Sequence, residues 1–398
     1  MSPARIVIAG GGPAAVEAML ALRDLAEDRV ALTVVAPNRE LELQPLRIAV
    51  AFGIDHPRGY ALDRVAEAVR AGVVQAHLAA VDVERRAAVL ADGRRLPYDA
   101  LVVATGAVAE PWLGGAVTVG TPGDRAPLTA LLRDVEHRHG ARVAVVVPPG
   151  CSWPLPAYEL ALLAVGRIRA SGAGRAAPAV VTPEAEPLAL FGTAAGAAVA
   201  GLLDDAGVAF LGGSSVVGFR EPDLELSDGR TVRATHVVTL PHLRGRRTPG
   251  LPSGDGGFLP VDADGRVRGA SHVFAAGDGT DGAIKQGGLG CRQADAVARA
   301  IAADLGAPTP WPVPEPVLRG KLLTPRGAGY LRARLDDAAG GTFSDRELWR
   351  PPAKLSSRYL SRMLAFLDGP DAELADALGG PEGVSLGAGG AAHRLRHA

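Results

Sequence analysis

The sequence predicts an α/β protein built from two doubly wound, parallel-sheet units, each with a small antiparallel meander, followed by a small C-terminal region. Three observations predict it. First, ARIVIAGGGPAAVEAMLALRDL from Ala4 passes from a β-branched run through glycines into apolar residues at helical spacing, which reads as strand, tight turn, helix. Second, a counterpart, RVAVVVPPGCSWPLPAYELALL, starts at Arg142, 137 residues after Arg5. Third, the Asp-Gly turns in LADGRRLPYDALVVATGA and LSDGRTVRATHVVTLPH, at Asp92 and Asp228, lie 136 residues apart. Two offsets that agree within one residue argue for a duplicated unit.

In chain order, Gly10, Gly12 and Ala15 fill the three small positions of a GxGxxG/A turn. Ala31 to Val35 supplies the next strand, at the distance a dinucleotide-binding Rossmann unit requires. Each Asp-Gly pair closes a hairpin of its meander. SHVFAAGDGTDGAIKQGGLGCRQADAVARAIAADL from Ser271 again reads strand, Gly-rich turn, helix, without the phosphate fingerprint, and should return the chain to the first unit. The Pro-rich GAPTPWPVPEP marks a boundary, followed by a hairpin around Arg326 and Gly327, a helix from Lys354 to Leu367, and a Gly-rich, disordered end after Gly379. The expected partition is therefore 1–108 and 251–312 for the first unit, 109–250 for the second, 313–378 for the C-terminal region and 379–398 for a tail.

Composition removes several functions. Lys and Arg number 42 against 43 Asp and Glu, so no overall field recommends nucleic acid as a partner. Two cysteines outside any CxxC pair leave disulfide frameworks and zinc or iron–sulfur sites unsupported, and a reducing, cytoplasmic setting is the expectation. The N-terminus lacks the apolar region of a signal peptide, and the uncharged run Pro187 to Leu203 is too short and Gly-interrupted to span a bilayer. No metal site is expected: His137 and His139 are two apart and face different sides of a helix, and His393 and His397 fall in the tail.

Three motifs in order, GGGPAA at Gly10, LVVATGA through Ala104, Thr105, Gly106 and Ala107, and FAAGD ending at Gly277 and Asp278, resemble the FAD-containing pyridine nucleotide-disulfide oxidoreductase superfamily. The resemblance is to the branch holding sulfide:quinone oxidoreductases and type II NADH dehydrogenases, and runs from about Arg5 to Leu305. At Gly10, Gly12, Pro13, Ala14 and Ala15 the minimal side chains let backbone N–H groups and a helix N-terminus approach a pyrophosphate. The resemblance implies that Asp278 accepts from the ribityl chain. It also implies that Lys285 and Gln286 border the flavin at a helix opening near Gly287, whose positive end stabilises an anionic reduced flavin. Lys285 is carried as a candidate catalytic residue. Pro45 either lines the flavin ring, as a family proline does, or is a simple loop proline. Asn38 and Arg39 stand where an acid about 20 residues past the turn would hold the ribose.

The second unit bears on the electron donor. Arg5 to Glu17 spans 12 positions, whereas Arg142 to Glu159 spans 17, and the longer turn holds Pro148, Pro149, Pro154 and Pro156. Proline has no N–H to donate, so NAD(P)H is disfavoured. Glu184 either meets a ribose or is a plain surface residue. PAYE, from Pro156 to Glu159, resembles the helix start of sulfide:quinone oxidoreductases, which relay electrons through cysteines. Cys151 is then either a redox-active thiol, provided a cation lowers its pKa, or a spectator. Cys291 reads as core, and the absence of cysteine from PNRELELQPLRIAV argues against dithiol reduction.

The expected function is an FAD oxidoreductase passing two electrons from a small reductant, a sulfur compound among the candidates, to a quinone or another acceptor. The alternatives are an NAD(P)H dehydrogenase and a non-catalytic flavin-binding sensor or interaction subunit. The Lys354 to Leu367 helix puts Leu355, Leu360, Met363, Leu364 and Leu367 opposite Lys354, Arg358 and Arg362. It is expected to pack on the flavin unit or on a homodimer mate, or else to attach peripherally to the inner face of a membrane.

Overall fold

The β-branched runs form two five-stranded parallel sheets with the same internal order. This computed structural model describes residues 2–138, 140–172, 178–310, 317–335, 337 and 340–368. His139, residues 311–316 of the Pro-rich boundary and the expected tail from 379 lie outside the described residues. In the first sheet the order is Val273–Ala275, Ala100–Val103, Ala4–Ala9, Val30–Ala36, Ala71–Gln75. In the second it is Val117–Thr118, His236–Thr239, Val143–Val146, Ala179–Val181, Ala209–Leu211. Strands 137 and 136 residues apart thus occupy equivalent places: Ala4–Ala9 matches Val143–Val146, and Ala100–Val103 matches His236–Thr239. The central strands are buried on both faces, as helix-covered parallel strands must be. Strand Val273–Ala275 pairs with Ala100–Val103, so the third Gly-rich segment does return to the first sheet.

The duplication extends to single side chains. Each meander turns at its Asp-Gly pair, where Gly93 (φ +87°) and Gly229 (φ +84°) take the left-handed conformation. The Asp92 carboxylate accepts from Arg94 N at 3.0 Å, and Asp228 repeats the contact with Arg230 N at 3.0 Å. The two units are joined by an antiparallel pair, Ala107–Glu110 against His242–Gly245.

The alanine and glycine excess has a packing purpose in the first unit. Helices Pro13–Ala26 and Gly287–Asp304 cross close to the third Gly-rich turn, where a Cβ on Gly277 would sit 3.1 Å from Ala14 Cβ and one on Gly290 would sit 3.0 Å from Gly277 Cα. Small residues let the two helices approach the strand ends together.

One expectation needs correction. The helix predicted from Lys354 to Leu367 runs from Leu360 to Asp368. Lys354 is folded inward to pair with Glu159 of the second unit, and Glu17, wholly buried on the first helix, receives the N–H groups of Arg358, Tyr359 and Leu360 at 2.8, 2.9 and 2.6 Å. These long-range contacts fix where the helix starts and break the basic row, because Lys354 lies outside the helix. At the far end Asp368 accepts from Tyr60 Oη at 2.8 Å and pairs with Arg58. Residues 354–368 are therefore a strap tied to both units. Among the described residues no helix is long and apolar enough to cross a membrane.

Beside Glu17, Asp295 is 5% exposed and its Oδ1 has no hydrogen-bond partner. Burial, and then the Glu17 carboxylate, push its carboxyl well above the usual range. The folded chain thus holds a proton that the unfolded chain releases above about pH 4, so stability falls as pH climbs from there toward the folded pKa. Asp295→Asn is expected to remove about 1–3 kcal/mol of that decline between about pH 5 and pH 8, read from thermal unfolding at several pH values. A variant as pH-dependent as the parent would show that another group carries the proton.

Candidate cofactor site and its altered twin

At the end of Ala4–Ala9 the chain must turn sharply beneath another strand. Gly10 adopts φ +137°, and its N–H donates to Val35 O at 2.8 Å. A Cβ here would lie 2.2 Å from Ala104 O, so only glycine fits. Gly12 precedes Pro13 at the first turn of the helix, where no side chain caps the N-terminus, and a Cβ on Gly12 would meet nothing within 4 Å. The first-turn N–H groups therefore face open space with the positive end of the helix dipole behind them.

That space is a cavity of about 1930 Å³ running from the first unit to the second. It is about twice the upper end of the roughly 300–1,000 Å³ usual for a ligand pocket. Gly10, Gly12, Pro13, Ala14, Asn38, Pro45, Ala104, Thr105, Gly106, Gly277, Asp278, Lys285, Gln286 and Cys151 all line it. Ala15 is buried just behind the turn. Arg39 does not reach the cavity; its guanidinium bonds Gln75 Oε1 at 3.1 Å and Asp63 at 3.0 Å. Glu40 and Glu42, which sequence reasoning passed over, line it instead.

Asp278 is half-buried, and among the described residues its carboxylate makes no hydrogen bond; burial raises its pKa and Lys285 opposes the rise. A partly desolvated acceptor without a donor, a glycine cradle and an uncapped helix start are the groups that the ribityl hydroxyls and pyrophosphate of FAD would satisfy. Gln286 caps the Gly287–Asp304 helix, its Oε1 accepting from Leu289 N at 2.8 Å. The Lys285 ammonium sits 3.8 Å from the Phe258 ring centroid and donates to Thr280 O, while Lys285 N donates to Ser152 Oγ of the proline-stiffened loop at 3.1 Å.

Cys151 lies on that loop, half-buried. Burial pushes its thiol up to about 11, and the nearby Glu184 carboxylate pushes in the same direction. No cation lowers it, so the condition for a reactive thiolate is not met. Cys291 is wholly buried in the Gly287–Asp304 helix.

Two further features escaped sequence reasoning. Arg246 and Arg247, in LRGRR, line the cavity with no side-chain partner among the described residues. Their only signal was a short exposed charge cluster. Glu184 is not a surface residue: it is half-buried, and its Oε2 accepts from Tyr158 Oη at 2.7 Å and Thr182 Oγ1 at 3.2 Å.

The second unit repeats the backbone of the cradle without its chemistry. The bond Gly10 N to Val35 O has its twin in Val147 N to Val181 O at 2.8 Å, so a valine stands where the cradle needs glycine. Ala104 N to Ala9 O is matched by Leu240 N to Val146 O at 3.3 Å, so Ala104-Thr105-Gly106 corresponds to Leu240-Pro241-His242. Gly106 uses φ +69°, whereas the twin position carries His242, stacked on Trp112 at 5.2 Å.

Two Rossmann-like units, an open nucleotide cradle in the first and an opposing loop from the second define an FAD-binding oxidoreductase. The family profile of pyridine nucleotide-disulphide oxidoreductases matches residues 4–294, and the chain belongs to that family. Among curated proteins no sequence match was found. Among solved structures, the sulfide:quinone oxidoreductase of the hyperthermophilic bacterium Aquifex aeolicus superposes with a TM-score of 0.76 at 18% identity, covering 86% of this chain and 87% of that one. An NAD-dependent persulfide reductase from A. fulgidus gives 0.61 at 17% identity, covering 82% and 64%. The ferredoxin reductase of the CYP199A2 system from Rhodopseudomonas palustris gives 0.61 at 18% identity, covering 82% and 81%. At these identities the likeness speaks to the fold.

Proposed function

We propose that the protein is an FAD oxidoreductase that takes two electrons from a small reductant other than NAD(P)H and gives them to a quinone or another acceptor. The observation that carries this reading is the altered twin. Val147 stands where the first unit has Gly10, Leu240-Pro241-His242 where it has Ala104-Thr105-Gly106, and prolines stiffen the 148–156 loop between strand and helix. Glu184, the acid best placed at the end of Ala179–Val181 for a ribose, is tied down by Tyr158 and Thr182.

FAD, when bound, supplies the two-electron chemistry. The chain's own residues would hold and tune it: the Gly10 to Ala15 turn binds the pyrophosphate, Asp278 orients the ribityl chain, and the Gly287–Asp304 helix directs its positive end at the cofactor. Lys321 and Lys354 line the cavity beside buried Glu159, which accepts from Lys354 and from Leu323 N. Burial raises the Glu159 carboxyl and the Lys354 ammonium opposes the rise, so the pair fixes Lys354 at the cavity wall. The raised thiol of Cys151 weighs against a sulfur-relay role for it and leaves the donor class open to organic reductants.

Anaerobic mixing of the yellow holoprotein with NADH, NADPH, sulfide and low-molecular-weight thiols, followed by flavin absorbance, tests the reading. Neither nicotinamide should bleach the flavin on the timescale of mixing, and Cys151→Ser should leave every rate within about twofold, because the thiol is protonated at neutral pH. Rapid bleaching by NADH would overturn the proposal.

A further inference from the structure

The carboxyl ends of Val117–Thr118, His236–Thr239 and Val143–Val146 enclose the part of the cavity that the second unit contributes. Its wall is Val119, Gly120 and Pro122 on one side, Pro149 and Gly150 on another, and Leu240, Pro241 and His242 between them. Gly120 lies against Pro241, with a built Cβ only 3.4 Å from Pro241 Cγ. In open α/β sheets this crevice is where ligands bind, and here it is continuous with the FAD cradle.

Its electrostatics select against charge. Besides His242 and Cys151, the ionisable groups at this end are Arg47, Glu42 and Asp124, and these three neutralise one another: Arg47 pairs with Glu42 at 3.2 Å and with Asp124 at 3.5 Å, and Asp124 also takes Gly120 N at 2.6 Å. Arg246 and Arg247 are farther along, past Gly245, where Arg247 lies against Gly257. An anionic ligand at these strand ends would find the adjacent cation, Arg47, already paired and few N–H donors, so its charge would be desolvated with little repayment. The remaining surface is largely apolar, with Trp153 beside Phe191 at 5.8 Å; its polar exception is His242, backed by Trp112, whose buried Nε2 has no hydrogen-bond partner.

We propose that this crevice binds an uncharged, planar aromatic molecule in the place a nicotinamide nucleotide takes in a dinucleotide-binding copy of the unit. The inference rests on the reading that NAD(P)H is not the donor. Trp153 and the Pro149, Pro241 and Val119 surfaces hold the ring, and shape and desolvation set the preference for neutral ligands.

The test uses the FAD-loaded, oxidised protein and two probes sharing one ring system, 2-naphthol and naphthalene-2-sulfonate. Calorimetric titration should show one site for 2-naphthol, with the sulfonate weaker by about tenfold or more. Trp153→Leu should weaken 2-naphthol about tenfold through lost stacking and contact area. A readout independent of any substitution comes from Cys151, which lines the crevice half-exposed while Cys291 is buried. Bound 2-naphthol should slow labelling of Cys151 by N-ethylmaleimide, and the sulfonate should not. Equal affinity for the two probes, binding of 2-naphthol that leaves Cys151 labelling unchanged, or no binding at all would each overturn the inference. If NADH also fails to reduce the flavin, any of these results leaves the proposed function standing. NADH that bleaches the flavin and shields Cys151 would instead remove the reading beneath it.

Discussion

Gly10→Ala is expected to purify as folded protein with little or no FAD. The added methyl would have to occupy space 2.2 Å from Ala104 O, at φ +137° where side-chain-bearing residues are strained. Relief requires the Ala4–Ala9 turn and the Ala104 to Gly106 strand end to separate, and both line the cradle. Even a small separation should weaken FAD about 100-fold, about 2.7 kcal/mol, read as the flavin-to-protein absorbance ratio and by equilibrium dialysis. Gly12→Ala is the control for folding, since its Cβ meets nothing within 4 Å and its φ of −88° suits any residue. Stoichiometric FAD in Gly10→Ala would mean that the cofactor does not depend on this strand end.

Lys354→Met should cost about 3–5 kcal/mol, because it leaves a carboxylate buried without its cation. Glu159 is 0% exposed and the Lys354 side chain only 10% exposed, so water cannot replace the ammonium. The sign with pH follows from the raised carboxyl: burial already lifts Glu159, and Lys354 is the main influence holding it down. Without that lysine Glu159 keeps its proton in the folded state, so the loss should be largest at alkaline pH and shrink as pH falls through the folded pKa. Urea unfolding at two pH values measures this, and Lys354→Met with Glu159→Gln together should recover most of the stability. A single variant with unchanged urea midpoint would show that the pair contributes nothing.

The fold was legible because its signals are local or periodic. Gly10, Gly12 and Ala15 announce a turn whose geometry admits no larger residue, and the offsets between Arg5 and Arg142 and between Asp92 and Asp228 survive as equivalent strands and hydrogen bonds. The prolines of the second loop were equally readable, since proline's missing N–H is a property of the residue itself. What escaped depends on residues far apart in sequence. The start of the last helix is set by Glu17, 343 positions before Leu360, and no periodicity within KLSSRYLSRMLAFL encodes that cap. Lys354 looked like part of an exposed basic row until Glu159, 195 residues earlier, drew it inward. Glu184 looked like a surface acid because its partner, Tyr158, sits 26 residues earlier on the Leu155–Ser171 helix. Arg246 and Arg247, just past the end of strand His242–Gly245, carry no pattern beyond charge, and charge alone does not say which side chains meet a cavity.

The cradle's halves are encoded at opposite ends of the message. A ribosome delivers Gly10 to Ala15 first, but Asp278 and the Gly287–Asp304 helix only after the whole second unit, and the strap that fastens both units later still. A nascent chain therefore lacks Asp278 and the second cradle helix during most of synthesis, and its first sheet lacks an edge strand until Val273–Ala275 arrives. Free FAD should speed the last stage of maturation and leave the early ones untouched, making vitamin supply a determinant of how much of this flavoprotein survives its own birth.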